Sequence, residues 1–487
     1  MNYKMIRYTL GFILAFEAAF MTLPLLTALI FKEFFEFWMF LISAAICLFI
    51  GRLLIWKKPK NTTLYAKEGF IICALCWIVI SIFGAVPFVL TGAIPSVVDA
   101  IFETVSGFTT TGSSILTSIS TLPRSVLIWR SFTHWVGGMG VLVFVMAFLP
   151  LAGGQNMHIM KAESPGPEVS KFVPKVRDTA LILYGIYLGL TVICVIAYLI
   201  SGFDFYEALC TAFSTAGTGG FSIRDDSFAS ATPAQQRVAT VFMLLFAVNF
   251  NSYYLILRRK LKDAFNAEVR AFIIIVLTAM CIITVNISLH REAIGHFTSL
   301  GDEIRHAAFY VASIISTTGF ATVDYNLWPA LSHTILMLVL LIGACAGSTG
   351  GGLKVSRILI LLKGMRNEIQ KAIHPRQVKR ITMDKKPVDG EVVRNINAFF
   401  VAYAFILIIG IFLISFNGKD MITNVTAVMT ALSNVGPGLS AVGPVNDFAH
   451  FSDFSKIVLS FLMLAGRLEL FPMLILFSPT TYKNKGF

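Results

Sequence analysis

The sequence predicts an all-α polytopic membrane protein: two N-terminal spans, then four units of span, re-entrant half-helix and span arranged as a pseudo-fourfold ring around a central pore. Three observations predict it: the composition, a succession of ten long apolar stretches, and a fourfold internal repeat. Of 487 residues, 56% are hydrophobic and only 14% charged, with a mean hydropathy of +0.76. Soluble domains carry about 25% charged residues, so a water-soluble protein is excluded. At ~20 apolar residues per span, this length corresponds to on the order of ten spans plus connections.

The stretches long enough to span lie at 8–31, 37–56, 70–90, 126–149, 180–200, 238–257, 272–289, 333–362, 398–416 and 457–477. Lys4 and Arg7 precede the first, as in a signal peptide, but it is long, has no small-residue cleavage site and is followed at once by another span, which reads as a retained helix. An even number of spans puts both termini on one side. With that side cytoplasmic, the segments there hold 29 of the 39 Lys and Arg residues and the other side nine. The positive-inside rule then places both termini in the cytoplasm. It also accounts for most of the net charge of +12, so no nucleic-acid partner is needed. The seven Cys form neither a disulfide framework nor a zinc pattern, and Cys73 and Cys76, though spaced C-x-x-C, lie inside an apolar span as packing residues.

After the third, fifth, seventh and ninth spans, each outward connection contains a short Ser/Thr-rich apolar segment ending in glycine. Reading back from those glycines aligns four segments without gaps: DAIFETVSGFTTTG to Gly112, EALCTAFSTAGTGG to Gly220, HAAFYVASIISTTG to Gly319 and TNVTAVMTALSNVG to Gly436. The eighth position is Ser106, Ser214, Ser313 and Thr430; the twelfth is Thr110, Thr218, Thr317 and Asn434. The glycines are 108, 99 and 117 residues apart, as four similar units require. The expected division is a hairpin at 1–68 and pore units at 69–160, 161–262, 263–390 and 391–487, the third with a broken second helix and a basic segment.

A half-helix of ~10 residues descends roughly 15 Å, about half of a ~30 Å hydrocarbon core. Its C-terminal end carries about half a negative charge and favours a cation. The chain must climb back with carbonyl oxygens in place of the ion's hydration shell, and glycine at the turn supplies the required φ. Irregular backbone at this depth is tolerated only where it is buried in protein or lines a path.

The segments ending in TTTG, TGGF, STTGF and SNVGPG, with the Gly-rich interruption of the eighth span and an arginine in the tenth, resemble the Trk/Ktr/HKT superfamily of potassium transporters. The N-terminal hairpin and span count resemble its TrkH/TrkG-type membrane subunits more than KtrB, which lacks that hairpin. The resemblance covers essentially the whole chain. It implies a potassium filter formed by Thr110, Thr111, Gly112, Thr218, Gly219, Gly220, Thr317, Thr318, Gly319, Asn434, Val435 and Gly436. Glycine at all four ends implies potassium preference, whereas serine in the first unit goes with sodium permeability. The fourth loop, with Asn434, Val435 and Pro437, departs from the others. The resemblance further implies a homodimer of membrane subunits and a separate TrkA-type cytoplasmic regulator that binds NAD or ATP, since this chain carries no nucleotide-binding domain and no organic cofactor. The transported potassium ion is the one ligand implied.

Arg467 lies inside the last span, where a charge costs about 2.5–3.5 kcal/mol on insertion scales. It reads either as a structural ion pair with Glu469, Glu103 or Glu207, or as the family's positive barrier beside the path. The interruption GACAGSTGGG lacks the order of a phosphate-binding loop. Gly343, Gly347, Ser348, Thr349, Gly350, Gly351 and Gly352 read as a kink or, with the family, as a gate loop under the filter. The basic segment 363–386 suits anionic lipid or the regulator equally. HWVGGMG, with His134, reads as close helix packing. His158, His306 and His374 have no metal-ligand spacing. Asp225, Asp226 and Asp324 either gather cations or sit solvated in loops. The expected function is selective potassium uptake across the bacterial cytoplasmic membrane without covalent chemistry. The rival is a less selective K⁺/Na⁺ channel or a cation symporter.

Overall fold

The computed structural model describes residues 1–61, 64–140, 176–295, 297, 299–375 and 380–482. The chain opens with Tyr3–Phe20 and Thr22–Phe31, joined at Met21, and returns through Phe34–Ile55. Gly11 and Gly51 let the two limbs of this hairpin cross closely. A Cβ at Gly11 would lie 2.8 Å from the Gly51 carbonyl oxygen, and one at Gly51 would lie 2.9 Å from that of Gly11.

Four units follow. Their first spans are Ala66–Gly84 with Val86–Leu90, Val176–Ile200, Ala267–Leu289 and Gly390–Ser415. Their re-entrant pore helices are Val97–Phe108, Phe205–Ala216, Leu300–Ile315 and Met421–Ser433. Each pore helix starts at a side-chain cap, with Ser96, Asp204, Ser299 and Asp420 accepting from the backbone N–H three residues on. Three caps fall at the same place in the repeat; the third falls four residues earlier, so that pore helix is one turn longer. Apart from a two-residue hairpin, Thr382–Met383 against Lys386–Pro387, the described structure is helical.

In the second and fourth units the second spans differ from the sequence expectation of unbroken crossings; in the third a broken helix was expected. Among the described residues, six helices are long and apolar enough to cross a membrane, or seven if one pair bent by 90° counts as one. The second spans instead begin as helices of 15, 15, 13 and 15 residues: Arg124–Gly138, Pro233–Ala247, Ala330–Ile342 and Asp453–Arg467. In the second unit Val248 turns extended and Asn249 caps a new helix, Phe250–Leu257. In the third the chain leaves the helix at Gly343 and resumes at Val355–Ile373. In the fourth Glu469 and Leu470 take positive φ before Phe471–Phe477. In the second and fourth units a window of ~20 residues averages over these breaks, so hydropathy alone reads the spans as continuous. The part of the first unit's expected second span beyond residue 140, and residues 376–379 of the basic segment 363–386, lie outside the described residues.

The Gly-Gly pair in the first of these helices fixes the packing. A Cβ at Gly137 would lie 1.8 Å from the Phe108 carbonyl oxygen, and one at Gly138 would lie 2.8 Å from the Gly217 Cα. Both obstacles are backbone atoms at pore-helix ends, so no rotamer change relieves them. Gly137→Ala should therefore lower stability by about 1–3 kcal/mol or more, the cost of overpacking. Thermal unfolding in detergent checks this, and an unchanged midpoint would contradict the packing.

Candidate functional site

The four pore helices end in one shared motif. The thirteenth-position N–H donates to the eighth-position carbonyl: Thr111 to Ser106 at 2.9 Å, Gly219 to Ser214 at 2.9 Å, Thr318 to Ser313 at 2.8 Å and Val435 to Thr430 at 2.9 Å. This is the bond that closes a left-handed helix C-terminus. The left-handed residue is the twelfth in each case, with φ of 56° at Thr110, 53° at Thr218, 60° at Thr317 and 54° at Asn434. For a β-branched threonine this is strained backbone that persists only when its surroundings hold it. The sequence places the demand for positive φ on glycine; three threonines share it. Gly112, Gly220 and Gly319 then take φ of 80°, 80° and 87°. Gly436, which precedes Pro437, is not among the positive-φ glycines.

These four glycines close a ring. A Cβ at Gly112 would lie 1.9 Å from the Gly219 carbonyl oxygen, and one at Gly220 would lie 2.0 Å from that of Thr318. One at Gly319 would meet Pro437 Cδ at 2.9 Å, and one at Gly436 would meet the Gly112 carbonyl oxygen at 3.0 Å. Each loop is thus pressed against the next, and the fourth against the first. All four glycines line one cavity of about 150 Å³.

Buried polar struts hold the loops from behind. His134 Nδ1 lies 2.7 Å from the Gly107 carbonyl, while its Nε2 accepts from Phe221 N–H at 3.2 Å. With Nε2 accepting, Nδ1 carries the proton. Arg130 donates to Glu103 at 2.6 Å, to the Ser222 carbonyl at 2.9 Å and to the Ser114 hydroxyl at 3.1 Å, with its guanidinium over the Phe221 ring. Glu103 also accepts from Ile115 N–H at 2.9 Å. Around the third loop, Tyr310 O–H accepts from Thr322 and Val323 N–H and donates to the Val323 carbonyl. Asn434 ties the fourth loop to the first, its amide donating to Thr111 Oγ1 at 3.0 Å and to the Met463 carbonyl at 2.9 Å.

The irregular loop that starts at Gly343 lies directly beneath. Gly351 N–H donates to Thr317 Oγ1 at 2.6 Å and Gly352 N–H to the Ser433 carbonyl at 2.9 Å, the last residue of the fourth pore helix. Cys345 N–H donates to the Ala247 carbonyl at 3.0 Å and Thr349 Oγ1 to that of Phe246 at 3.2 Å, at the end of the second unit's broken helix. Arg467 donates to the Thr349 carbonyl at 2.8 Å and to the Gly137 and Gly138 carbonyls at 2.6 Å each. Carbonyls that helix ends leave unpaired are therefore met by this loop and by Arg467. Lys354 Nζ donates to the Gly350 carbonyl.

The structure thus brings together all twelve candidate filter residues and sets Gly343 to Gly352 and Arg467 below them. The carboxylates considered as partners for Arg467 are engaged by other arginines: Glu469 by Arg357, Glu103 by Arg130 and Glu207 by Arg224. Asp225 lines the outer cavity and accepts from Ile119 N–H and the Ser120 hydroxyl, bonds that hold its carboxyl below the usual range. A group so lowered supports the loop at neutral pH and loses that role as pH falls through its folded value. Asp226 and Asp324 cap local turns at Ser230 and Asn326. Sequence reasoning missed the roles of Arg130 and Glu103; two ionisable residues in consecutive apolar elements were the available signal.

The family model for TrkH, a cation transport protein, matches residues 38–485. The chain is 35% identical to a Trk system potassium uptake protein TrkH of Halomonas elongata, over 99% of this chain and 100% of the relative. It is 34% identical to the TrkH protein of Escherichia coli strain K12, again over 99% and 100%. The crystal structure of the potassium transporter TrkH from Vibrio parahaemolyticus superposes with a TM-score of 0.89 at 32% identity, covering 99% of this chain and 100% of that one.

The Arg130–Glu103 pair is 2% and 0% exposed. Arg130→Met strands a buried carboxylate and should cost about 3–5 kcal/mol, much of it recovered in the double variant with Glu103→Leu. Thermal unfolding of both variants decides; additive losses would show that the pair does not act as a unit.

Proposed function

The chain belongs to the TrkH family of cation transport proteins, and on that premise we propose that it mediates selective potassium uptake across the bacterial cytoplasmic membrane through a filter built from its four re-entrant loops. The observation that carries this is the closed ring of glycines around one cavity, since four backbones pressed together at mid-membrane have carbonyl oxygens as their only uniform lining. Thr110, Thr111 and Gly112, with their equivalents in the other units, are the ion-coordinating residues. The membrane potential drives entry, at about 2.3 kcal/mol per charge per 100 mV. Both termini are cytoplasmic, following the positive-inside count, and the division is the hairpin 1–68 with four pore units.

The loop Gly343 to Gly352 serves as gate, a reading supported by its hydrogen bonds to Thr317 and Ser433 at the ends of two pore helices. Arg467 latches it through Thr349 and adds a positive barrier. A TrkA-type NAD- or ATP-binding regulator docks on the basic segment 363–386 and moves this loop, and two membrane subunits pair as a homodimer. A less selective K⁺/Na⁺ channel or a symporter is the second reading, favoured by the different backbone at Gly436 and Pro437.

Potassium and sodium flux into liposomes containing the purified protein tests the selectivity. Wild type is expected to prefer potassium. Gly112→Ser, whose Cβ would press on the Gly219 carbonyl 1.9 Å away, is expected to lose that preference. Equal flux of the two ions in wild type would favour the second reading. Arg467→Ala should raise flux by up to roughly thirtyfold, since a charge ~8 Å from the ion at an effective dielectric near 20 repels it by about 2 kcal/mol. Unchanged flux at equal reconstitution would remove Arg467 from the barrier.

A further inference from the structure

The irregular loop between Gly343 and Val355 is tied to every unit. Cys345 N–H and Thr349 Oγ1 meet carbonyls of the second unit's broken helix, Gly351 N–H meets Thr317 of the third central loop, and Gly352 N–H meets Ser433 of the fourth pore helix. Arg467 joins Thr349 to Gly137 and Gly138 of the first unit. A segment held by all four units crosses the centre of the ring, so its carbonyls are the first acceptors an ion meets on leaving that ring. Gly350 sits at this crossing. A Cβ there would lie 2.8 Å from the Ser316 carbonyl oxygen and 3.4 Å from Thr317 Oγ1.

Two consecutive carbonyls of the crossing are held by basic side chains. Arg467 donates to Thr349 at 2.8 Å, and Lys354 Nζ donates to Gly350. An ammonium group and a potassium ion seek the same ligand, an oxygen lone pair, and a carbonyl engaged by a tethered ammonium is one the ion must win from it. Lys354 is only 2% exposed, so its charge is placed in protein rather than in water. Its backbone is pinned where the loop closes. Lys354 N–H donates to the Ile342 carbonyl at 2.9 Å and Val355 N–H to that of Ala344 at 3.1 Å, with Lys354 at a φ of 77° that a lysine rarely adopts. The acids whose fields reach Lys354 are Glu469 and Glu268. Both are engaged, Glu469 by Arg357 and Glu268 Oε1 by the N–H groups of Ala346 and Ser356 at 2.7 and 3.1 Å.

We propose that Lys354 is a second fixed positive charge on the ion path, supplied by the third unit as Arg467 is by the fourth, which adds to the barrier that potassium meets beneath the ring of glycines. The proposal rests on the potassium-uptake reading of that ring. The two charges differ in one respect. Lys354 bonds to its own loop and its charge travels with that loop, whereas Arg467 belongs to a separate helix. The barrier is therefore highest while the loop lies across the path.

Potassium flux into liposomes containing the full-length protein, wild type beside Lys354→Gln, Lys354→Met and Lys354→Arg, tests this. Hydrogen exchange of residues 343–356 in the same preparations reports whether the loop stays in place. Lys354→Gln keeps a donor for the Gly350 carbonyl and removes the charge. It is expected to raise flux roughly tenfold, the effect of a like charge ~10 Å from the ion at an effective dielectric near 20, with loop exchange unchanged. Lys354→Met should raise flux as much, and Lys354→Arg, which restores the charge, should bring it back toward the wild-type rate. Unchanged flux in Lys354→Gln at equal reconstitution would overturn the proposal. So would a rise confined to Lys354→Met, or a rise accompanied by faster loop exchange, since either would make Lys354 a clasp and not a barrier. Sodium entering wild-type liposomes as fast as potassium would count against selective uptake, while the ratio of Lys354→Gln to wild type, taken in either ion, would still decide the role of Lys354.

Discussion

Backbone that leaves a helix inside the protein, away from water, must find its hydrogen bonds there, and the whole centre of this molecule is organised around that constraint. The pore helices end there four times, and each end is closed by the same left-handed turn with its thirteenth-to-eighth hydrogen bond. Threonine and asparagine in left-handed backbone are tolerable only because the neighbours leave no alternative. The neighbours are themselves loops of the same kind: Gly112 lies against Gly219, Gly220 against Thr318, Gly319 against Pro437 and Gly436 against Gly112. The ring supports itself, and His134, Arg130 and Tyr310 support it from outside.

The same constraint explains why the segment beginning at Gly343 is not a plain kink. A kink would leave its own N–H and C=O groups to be satisfied, whereas this loop both satisfies and is satisfied. It gives N–H groups to Ala247 and Ser433, and a hydroxyl to Phe246, all at ends of helices that stop near the same depth. Arg467 does likewise for Gly137 and Gly138 while holding Thr349. Displacing the loop therefore uncovers carbonyls in two other units at once. On the gate role proposed above, such coupling favours two discrete arrangements over a graded opening, because half-moved backbone would be unpaired in a low-dielectric interior.

Much of this was legible in the sequence, and the reason is periodicity. The gap-free alignment of four segments places Ser106, Ser214, Ser313 and Thr430 at one position, and those four residues supply the equivalent carbonyls in the structure. The glycines at the segment ends, read as turn residues, prove to be steric necessities as well. Among the described residues, the breaks in the second spans of the second and fourth units were illegible. Single polar residues such as Asn249 and Glu469 are averaged away over a whole span, and only the Gly-rich third unit announced its break. The Arg130–Glu103 strut was hidden for a related reason: pairing across 27 residues and two elements leaves no spacing signature.

The fourth loop shows what a concatenated chain permits that four identical subunits would not. The missing-Cβ approaches are 1.9 and 2.0 Å at Gly112 and Gly220, but 2.9 and 3.0 Å at Gly319 and Gly436, so the ring is looser on both sides of the fourth loop. Pro437 sets the backbone of Gly436 apart from the other three glycines. At that seam the twelfth residue is asparagine, whose amide reaches Thr111 in the first loop and Met463 in its own second helix. A threonine hydroxyl, one bond shorter and carrying a single proton, could not make both bonds. The substitution and the looseness therefore belong together. Where backbone contact is slack, a side chain closes the ring, and the same asparagine ties it to the helix that carries Arg467.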